Sequence, residues 1–268
     1  MIPNILAIAG SDPSGGAGIQ ADIKAISANG GYAMAVITAL TAQNTLGVSG
    51  VELIGPSMVK AQIKAVFDDI RVDAVKVGMI GSAAITKAVA EMLIDYKGWM
   101  VVDPVMVAKG GDRLLAPEAV SALRDNLLPR CSVLTPNLPE AADLLDCAEA
   151  KTLSEMETQA GELIRYGAKA VLLKGGHLIG DDCPDLLLTA TGAMHWLSAP
   201  RIKTKNTHGT GCTLSSALAT QLALTGDILQ ACKAAKNYVS QAIAAADGLS
   251  VGHGHGPIDH FSFLRSKI

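Results

Sequence analysis

The chain predicts a doubly wound α/β fold: a mostly parallel central sheet flanked by helices, with a small β flap. Three observations carry this expectation. Short apolar runs rich in Val, Ile and Leu alternate with segments of helical periodicity, as repeated β-α units require. The connections are short, with no linker, internal repeat or low-complexity stretch, so the 268 residues read as one domain spanning 1–268. The composition is 49% hydrophobic but only 3% aromatic, so the core must be built from Ala, Val, Ile and Leu. Those residues suit buried parallel strands and close-packed helices.

Asn4 to Ala9 is an apolar run that stops at Gly10 and reads as a buried strand. The loop Gly10-Ser11-Asp12-Pro13-Ser14-Gly15-Gly16-Ala17-Gly18 follows, then a helix from Ile19 to Asn29. Its glycines are not spaced G-x-G-x-x-G, which argues against a dinucleotide fold and for a loop whose backbone approaches a small ligand. Asp22, one turn into the helix, either points back to that ligand or is an ordinary solvated acid. Tyr32 to Ala42 and Gly47 to Ile54 read as a hairpin or flap outside the main sheet, with Gln43 near its bend. Pro56 opens a helix through Asp69, Asp73 to Gly78 is a strand leading to Met79, and Ser82 caps the helix through Tyr96.

Trp99 to Val105 is a strand with Asp103 at its carboxyl end, where open parallel sheets bind ligands. Metal or phosphate work and a plain loop aspartate both fit there. The glycine-bearing Ala108-Lys109-Gly110-Gly111-Asp112 reads as a mobile loop. Cys131 to Pro136 is another strand, and Asn137-Leu138-Pro139-Glu140 obeys the rules of a helix capping box. The same Asn137 and Glu140 also suit a hydrated Mg²⁺, which takes few carboxylates and keeps its waters. Ala170 to His177 is a strand bearing Lys174, either a partner for nucleotide phosphates or a surface lysine. Asp185–Thr191 and Ala193–Leu197 flank Gly192 as an edge hairpin.

The stretch Asn206-Thr207-His208-Gly209-Thr210-Gly211-Cys212-Thr213 is the most informative. Two glycines flank Thr210 and open directly into a helix to Thr225, followed by a second from Asp227 to Ala246. Such a turn presents converging N–H groups and a positive dipole end, which suit a phosphate. Cys212 falls in the first helical turn, where a thiol is expected to shift toward the thiolate. A tight loop before a core helix with a small buried cysteine is the alternative. The glycine-separated His253 and His255 offer no scaffold for a metal.

Charge and cysteine usage narrow the class. A net charge of -3 and a pI near 6.1 leave no basic footprint for nucleic acid. The chain opens without a basic leader segment, and no apolar run is long enough for a bilayer, so neither secretion nor a membrane span is expected. Five scattered cysteines fit reduced thiols in the cytoplasm.

Taken together, Ala9 to Asp22, Thr38 to Thr45, Thr135 to Glu140, Leu173 to His177 and Lys205 to Thr213 resemble the hydroxymethylpyrimidine (phosphomethylpyrimidine) kinases of thiamine biosynthesis, in the ribokinase-like superfamily. The likeness runs in order from residue 4 to about residue 261. It implies an enzyme that uses ATP and Mg²⁺ to phosphorylate 4-amino-5-hydroxymethyl-2-methylpyrimidine and then its monophosphate. It further implies an anion hole from Gly209, Thr210, Gly211 and Cys212, with Cys212 the catalytic residue. Lys174 would neutralise phosphate charge, with Asn137, Thr207, Gly209 and Gly211 toward the nucleotide. Asp103 and Glu140 would serve the metal, and Gln43, Gly10, Asp22 and Met79 would surround the pyrimidine. A homodimer is the family's usual state. A pyridoxine/pyridoxal kinase is the close alternative, and a non-catalytic nucleotide-binding protein a distant one.

Overall fold

The computed structural model describes residues 1–106 and 117–265; the Ala108 to Asp112 loop lies outside them. Strands β1 (Asn4–Ser11), β2 (Tyr32–Asn44), β3 (Gly47–Leu53), β4 (Ala74–Val77), β5 (Trp99–Val102), β6 (Val133–Leu134), β7 (Ala170–Leu173), β8 (Asp185–Thr189) and β9 (Met194–Leu197) form one sheet. Its order among the described residues is β3-β2-β1-β4-β5-β6-β7-β8-β9. The pairs from β2 across to β7 are parallel, and β2–β3, β7–β8 and β8–β9 are antiparallel. The chain leaves β1 toward β2 on one side and returns to β4 on the other. That reversal opens a crevice at the carboxyl ends of β1 and β4.

Pleating divides the core in two. Leu6, Ile8, Val75, Val77, Met100 and Val102 point to one face, packed by α2 (Pro56–Phe67), α3 (Ala83–Met92), α4 (Pro117–Asn126), α5 (Leu138–Leu145) and α6 (Leu153–Ile164). Ile5, Ala7, Ala9, Ala74 and Val101 point to the other, packed by α1 (Gly18–Ala28), α7 (Thr210–Thr225) and α8 (Ile228–Ala244). Strands buried on both faces explain why the apolar runs do not alternate with polar residues.

The flap reading is corrected. β2 is a full strand of the main sheet, with Asn4 to Ala9 of β1 registered against Tyr32 to Ile37. Only its outer half, Ala39 to Asn44, forms a ribbon with β3. Met34, Val36 and Thr38 are buried, so the inner half belongs to the core. The edge hairpin at Gly192 forms as expected, with Gly192 at φ 87°.

Helix α7 is buried on nearly all sides, polar residues included. Its hydroxyls turn inward onto the helix: Thr213 Oγ1 donates to Gly209 O (2.8 Å) and Thr220 Oγ1 to Ser216 O (2.9 Å). Ser216 Oγ instead donates to Asp22 Oδ1 on α1 (2.8 Å). Asp22 is the acceptor for Lys76 Nζ from β4 at 2.8 and 2.9 Å, with both side chains wholly out of solvent. Burial alone would lower the Lys76 ammonium, but the Asp22 charge outweighs it and holds the lysine charged. Removing one partner of a buried pair strands the other charge, whereas replacing both with apolar groups is close to neutral. Lys76→Met should therefore cost about 3–5 kcal/mol. The double variant Lys76→Met/Asp22→Leu should recover most of it, as urea unfolding midpoints will show.

Candidate active site

A cavity of about 960 Å³ lies beyond the carboxyl ends of β1, β4, β5 and β7. That is at the upper end of ordinary ligand clefts, with room for two small molecules. The glycine turn forms one wall. Gly209 is the N-cap of α7 with φ 77°, and a Cβ there would collide with the carbonyl oxygen of Gly16. The turn is therefore pressed against the loop after β1, backbone to backbone, and only glycine permits it. Thr210 N leans on Thr207 O (3.4 Å), while the Gly211 and Cys212 N–H groups have no partner within the helix, and all three residues line the cavity. Beneath them His260 donates from Nε2 to Thr213 Oγ1 (3.0 Å), whose own proton goes to Gly209 O. Burial lowers His260 to about 4, so it stays a neutral support.

Opposite the turn stands a charge cluster. Lys174, just past β7, reaches Asp103 Oδ1 at 3.1 Å and Glu140 Oε2 at 3.8 Å. Asp103 also accepts from Thr135 Oγ1 (3.1 Å) and Ser215 Oγ (3.3 Å). A Cβ on Gly211 would stand 3.4 Å from Lys174 Nζ and 3.5 Å from Asp103 Oδ2, so the glycine lets the cluster approach the anion turn. Asn137 and Glu140 do form the capping box of α5, with Glu140 N donating to Asn137 Oδ1 (2.8 Å) and Asn137 N to Glu140 Oε2 (2.7 Å). The cap and a site role coexist, because Glu140 also faces Lys174. Burial pushes Glu140 up to about 7, with Lys174 opposing.

Gln43, Gly10, Met79, Thr207, Asn137, Lys174, Asp103, Glu140 and the residues from Gly209 to Cys212 all line this cavity. Asp22 does not. Its carboxylate is consumed by Lys76 and Ser216 below the site, which corrects its placement around the substrate. The expected fall in the Cys212 thiol is also corrected. Burial pushes it up to about 11, and the opposing Lys76 charge and a backbone hydrogen bond from Gly18 do not overcome that. The helix-terminus rule weighs only the dipole, and at this half-buried position desolvation outweighs it.

Two groups escaped sequence reading. His208 and Asp12 both lie in quoted motifs without a role, yet His208 Nε2 sits 2.8 Å from Asp12 Oδ2 at the cavity wall. Lys236 on α8 donates to Asp185 Oδ2 (2.6 Å), whose Oδ1 accepts from Gly175 N (3.0 Å), bracing the loop beside Lys174. The glycines around His208 marked that stretch as functional, but no sequence signal pairs residues so far apart.

A parallel sheet reversing beside β1, with a glycine turn, a lysine and two carboxylates over one cavity, is the arrangement of the ribokinase-like small-molecule kinases. The comparisons narrow this. The chain belongs to the phosphomethylpyrimidine kinase family, whose model matches residues 12–259. It is 54% identical over 259 residues to the hydroxymethylpyrimidine/phosphomethylpyrimidine kinase of Escherichia coli K12, covering 96% of this chain and 97% of that one. Among solved structures, phosphomethylpyrimidine kinase from Clostridium difficile 630 is 42% identical with a TM-score of 0.79, covering 91% of this chain and all of that one. Bacillus subtilis pyridoxal kinase in its ADP complex is 34% identical with a TM-score of 0.90, covering 98% and 99%. Backbone likeness ranks the two structures one way and identity the other. A shared fold hosts several activities, so identity weighs more for function.

Gly211 has ordinary backbone angles, so a side chain there tests the cluster rather than the turn. Gly211→Val should fold normally, intrude between Lys174 and Asp103, and lower kcat on the order of a hundredfold, the scale of losing one oxyanion donor. Circular dichroism and steady-state kinetics check both halves.

Proposed function

We propose that this kinase transfers the γ-phosphoryl group of ATP to the hydroxymethyl oxygen of 4-amino-5-hydroxymethyl-2-methylpyrimidine, and then phosphorylates the resulting monophosphate, in thiamine biosynthesis. The observation that carries the reading is one cavity holding both Gln43 and the anion turn. Gln43 offers a donor and an acceptor, as an aminopyrimidine's amino group and ring nitrogen require. The turn and Lys174 lie across the cavity, where the charge of a transferring phosphoryl group would develop.

The chain's own residues divide the work. First-turn N–H groups and Lys174 hold the phosphates and offset their charge. Cys212, at the cavity wall, receives the hydroxyl proton as the oxygen attacks phosphorus and the bond to the departing ADP oxygen breaks. Thr207 and Asn137 flank the nucleotide side. Among the described residues no three His, Cys, Asp or Glu side chains form a metal cluster. The pair Asp103 and Glu140 fits Mg²⁺, which keeps several waters. Bound there, the ion would neutralise and orient phosphate oxygens.

Pyridoxal kinase activity is the second reading, favoured by the 0.90 TM-score. We place the protein in the cytoplasm on its five free thiols. A homodimer through the β2–β3 ribbon would cover its exposed Leu40, Leu46, Val51 and Leu53, and sedimentation of the wild type at micromolar concentration tests that.

An ADP-release assay with hydroxymethylpyrimidine, its monophosphate and pyridoxine tests the reaction. Turnover should be highest on the first two, and turnover on pyridoxine alone would overturn the main reading. The proton role has its own signature. With the thiol pushed up to about 11, the accepting thiolate is scarce at neutral pH and grows as pH rises. Wild-type kcat should thus climb between pH 7 and 10. Cys212→Ser should lose that climb and on the order of a hundredfold in rate. A flat wild-type profile removes Cys212 as the acceptor.

A further inference from the structure

Gln43 enters the cavity from the end of β2 between two polar neighbours, and each dictates which end of its amide it meets. On one side is His208. The Asp12 carboxylate already accepts from Ser14 N (2.9 Å), Ser14 Oγ (2.7 Å) and Ala17 N (2.8 Å), so it is an acceptor throughout. His208 Nε2, 2.8 Å from Asp12 Oδ2, must therefore be the donor in that pair. A ring nitrogen bearing a proton has no lone pair left, whether the ring is neutral or charged. As placed, the amide sets its Nε2 3.4 Å from that ring nitrogen, donor against donor, so a half-turn that brings Oε1 there is required.

On the other side is Thr41. Its hydroxyl has one proton, and Ser11 O takes it at 2.8 Å. Thr41 Oγ1 is left as an acceptor facing Gln43 Oε1 at 3.3 Å, and the same half-turn replaces that oxygen with the donating Nε2. The opposite setting would put donor against donor at His208 and acceptor against acceptor at Thr41. Two independent neighbours thus require the same orientation.

We infer that Asp12, His208 and Thr41 lock the Gln43 amide with Oε1 toward His208 and Nε2 toward Thr41, making His208 a positioning residue for pyrimidine selectivity. The lock matters because a half-turn of an amide exchanges donor and acceptor at almost no steric cost. A 4-aminopyrimidine presents a donor beside an acceptor, and its 4-oxo counterpart presents the reverse. A freely turning glutamine serves both, while a locked one leaves the wrong analogue's buried groups unpaired. The inference rests on the proposed contact between Gln43 and the pyrimidine.

The test compares kcat/KM for 4-amino-5-hydroxymethyl-2-methylpyrimidine and its 4-oxo analogue in wild type, His208→Phe, His208→Gln and Thr41→Val. Gln43→Leu is the control for the underlying contact. Wild type should prefer the amino compound by on the order of a hundredfold or more. Phenylalanine keeps the ring packed on Gly16 and Pro257 but cannot donate, and should cut that ratio by about tenfold or more, with the KM for ATP little changed. Glutamine can still donate to both Asp12 and the amide, and should restore the ratio. Thr41→Val should lower the ratio too, and it stands in if the phenylalanine variant does not fold. If Gln43→Leu raises the pyrimidine KM while His208→Phe and Thr41→Val leave the ratio intact, the lock is wrong. If Gln43→Leu leaves that KM unchanged, the pyrimidine contact itself is wrong.

Discussion

The site depends on two backbones touching. The loop after β1 and the turn before α7 meet so closely that the Gly209 position has no space for a carbon, and Gly18 is pressed in the same way against the carbonyl of Gly10. Every other feature of the cavity is arranged around that contact. Asp12 folds the first loop onto itself and reaches across to His208, and His260 props the first turn of α7 from below. Neutral and charged hydrogen bonds surround the contact on both sides, so it is held at a fixed separation. A turn that must recognise a phosphoryl group through N–H groups needs that rigidity more than it needs any one side chain.

Two lysines at strand ends take opposite parts beside α7. Lys174, past β7, faces the cavity with Asp103 and Glu140, and its charge can be shared with an arriving phosphate. Lys76, in β4, is sealed beneath, its ammonium bound by Asp22 and closed over by Gly78, where a Cβ would stand 2.5 Å from Nζ. One belongs to the chemistry and the other to the architecture, though both are lysines on parallel strands. The distinction is one of solvent access. An ammonium that meets ligands must be exchangeable, whereas one fully desolvated is tied to its counter-ion for the life of the fold.

Much of this was legible in the sequence. Apolar runs and helical periods place the apolar cores of all nine described strands, and local rules find the Ser82 and Asn137 caps at their true positions. The glycine motif located the turn that opens α7 at the cavity because turn chemistry is local. What failed was non-local. Periodicity cannot say that β2 pairs with β1, so its inner half looked like a flap. Asp22 seemed free because its partners lie 54 and 194 residues away. The Cys212 thiol was misjudged because position in a helix is readable and burial of that helix end is not.

Helix α7 also sets the order in which the molecule can be completed. It closes over Ile5, Ala7, Ala74 and Val101 at the centre of the sheet, yet it begins roughly a hundred residues after the last of those strands ends. Until α7 emerges, α1 is the one helix of this face already in place, so its central strands stay partly open. The same helix brings the glycine turn, Cys212 and the third group of the Lys76–Asp22–Ser216 link. Closure of the second core and placement of the glycine turn beside the cavity are thus one event.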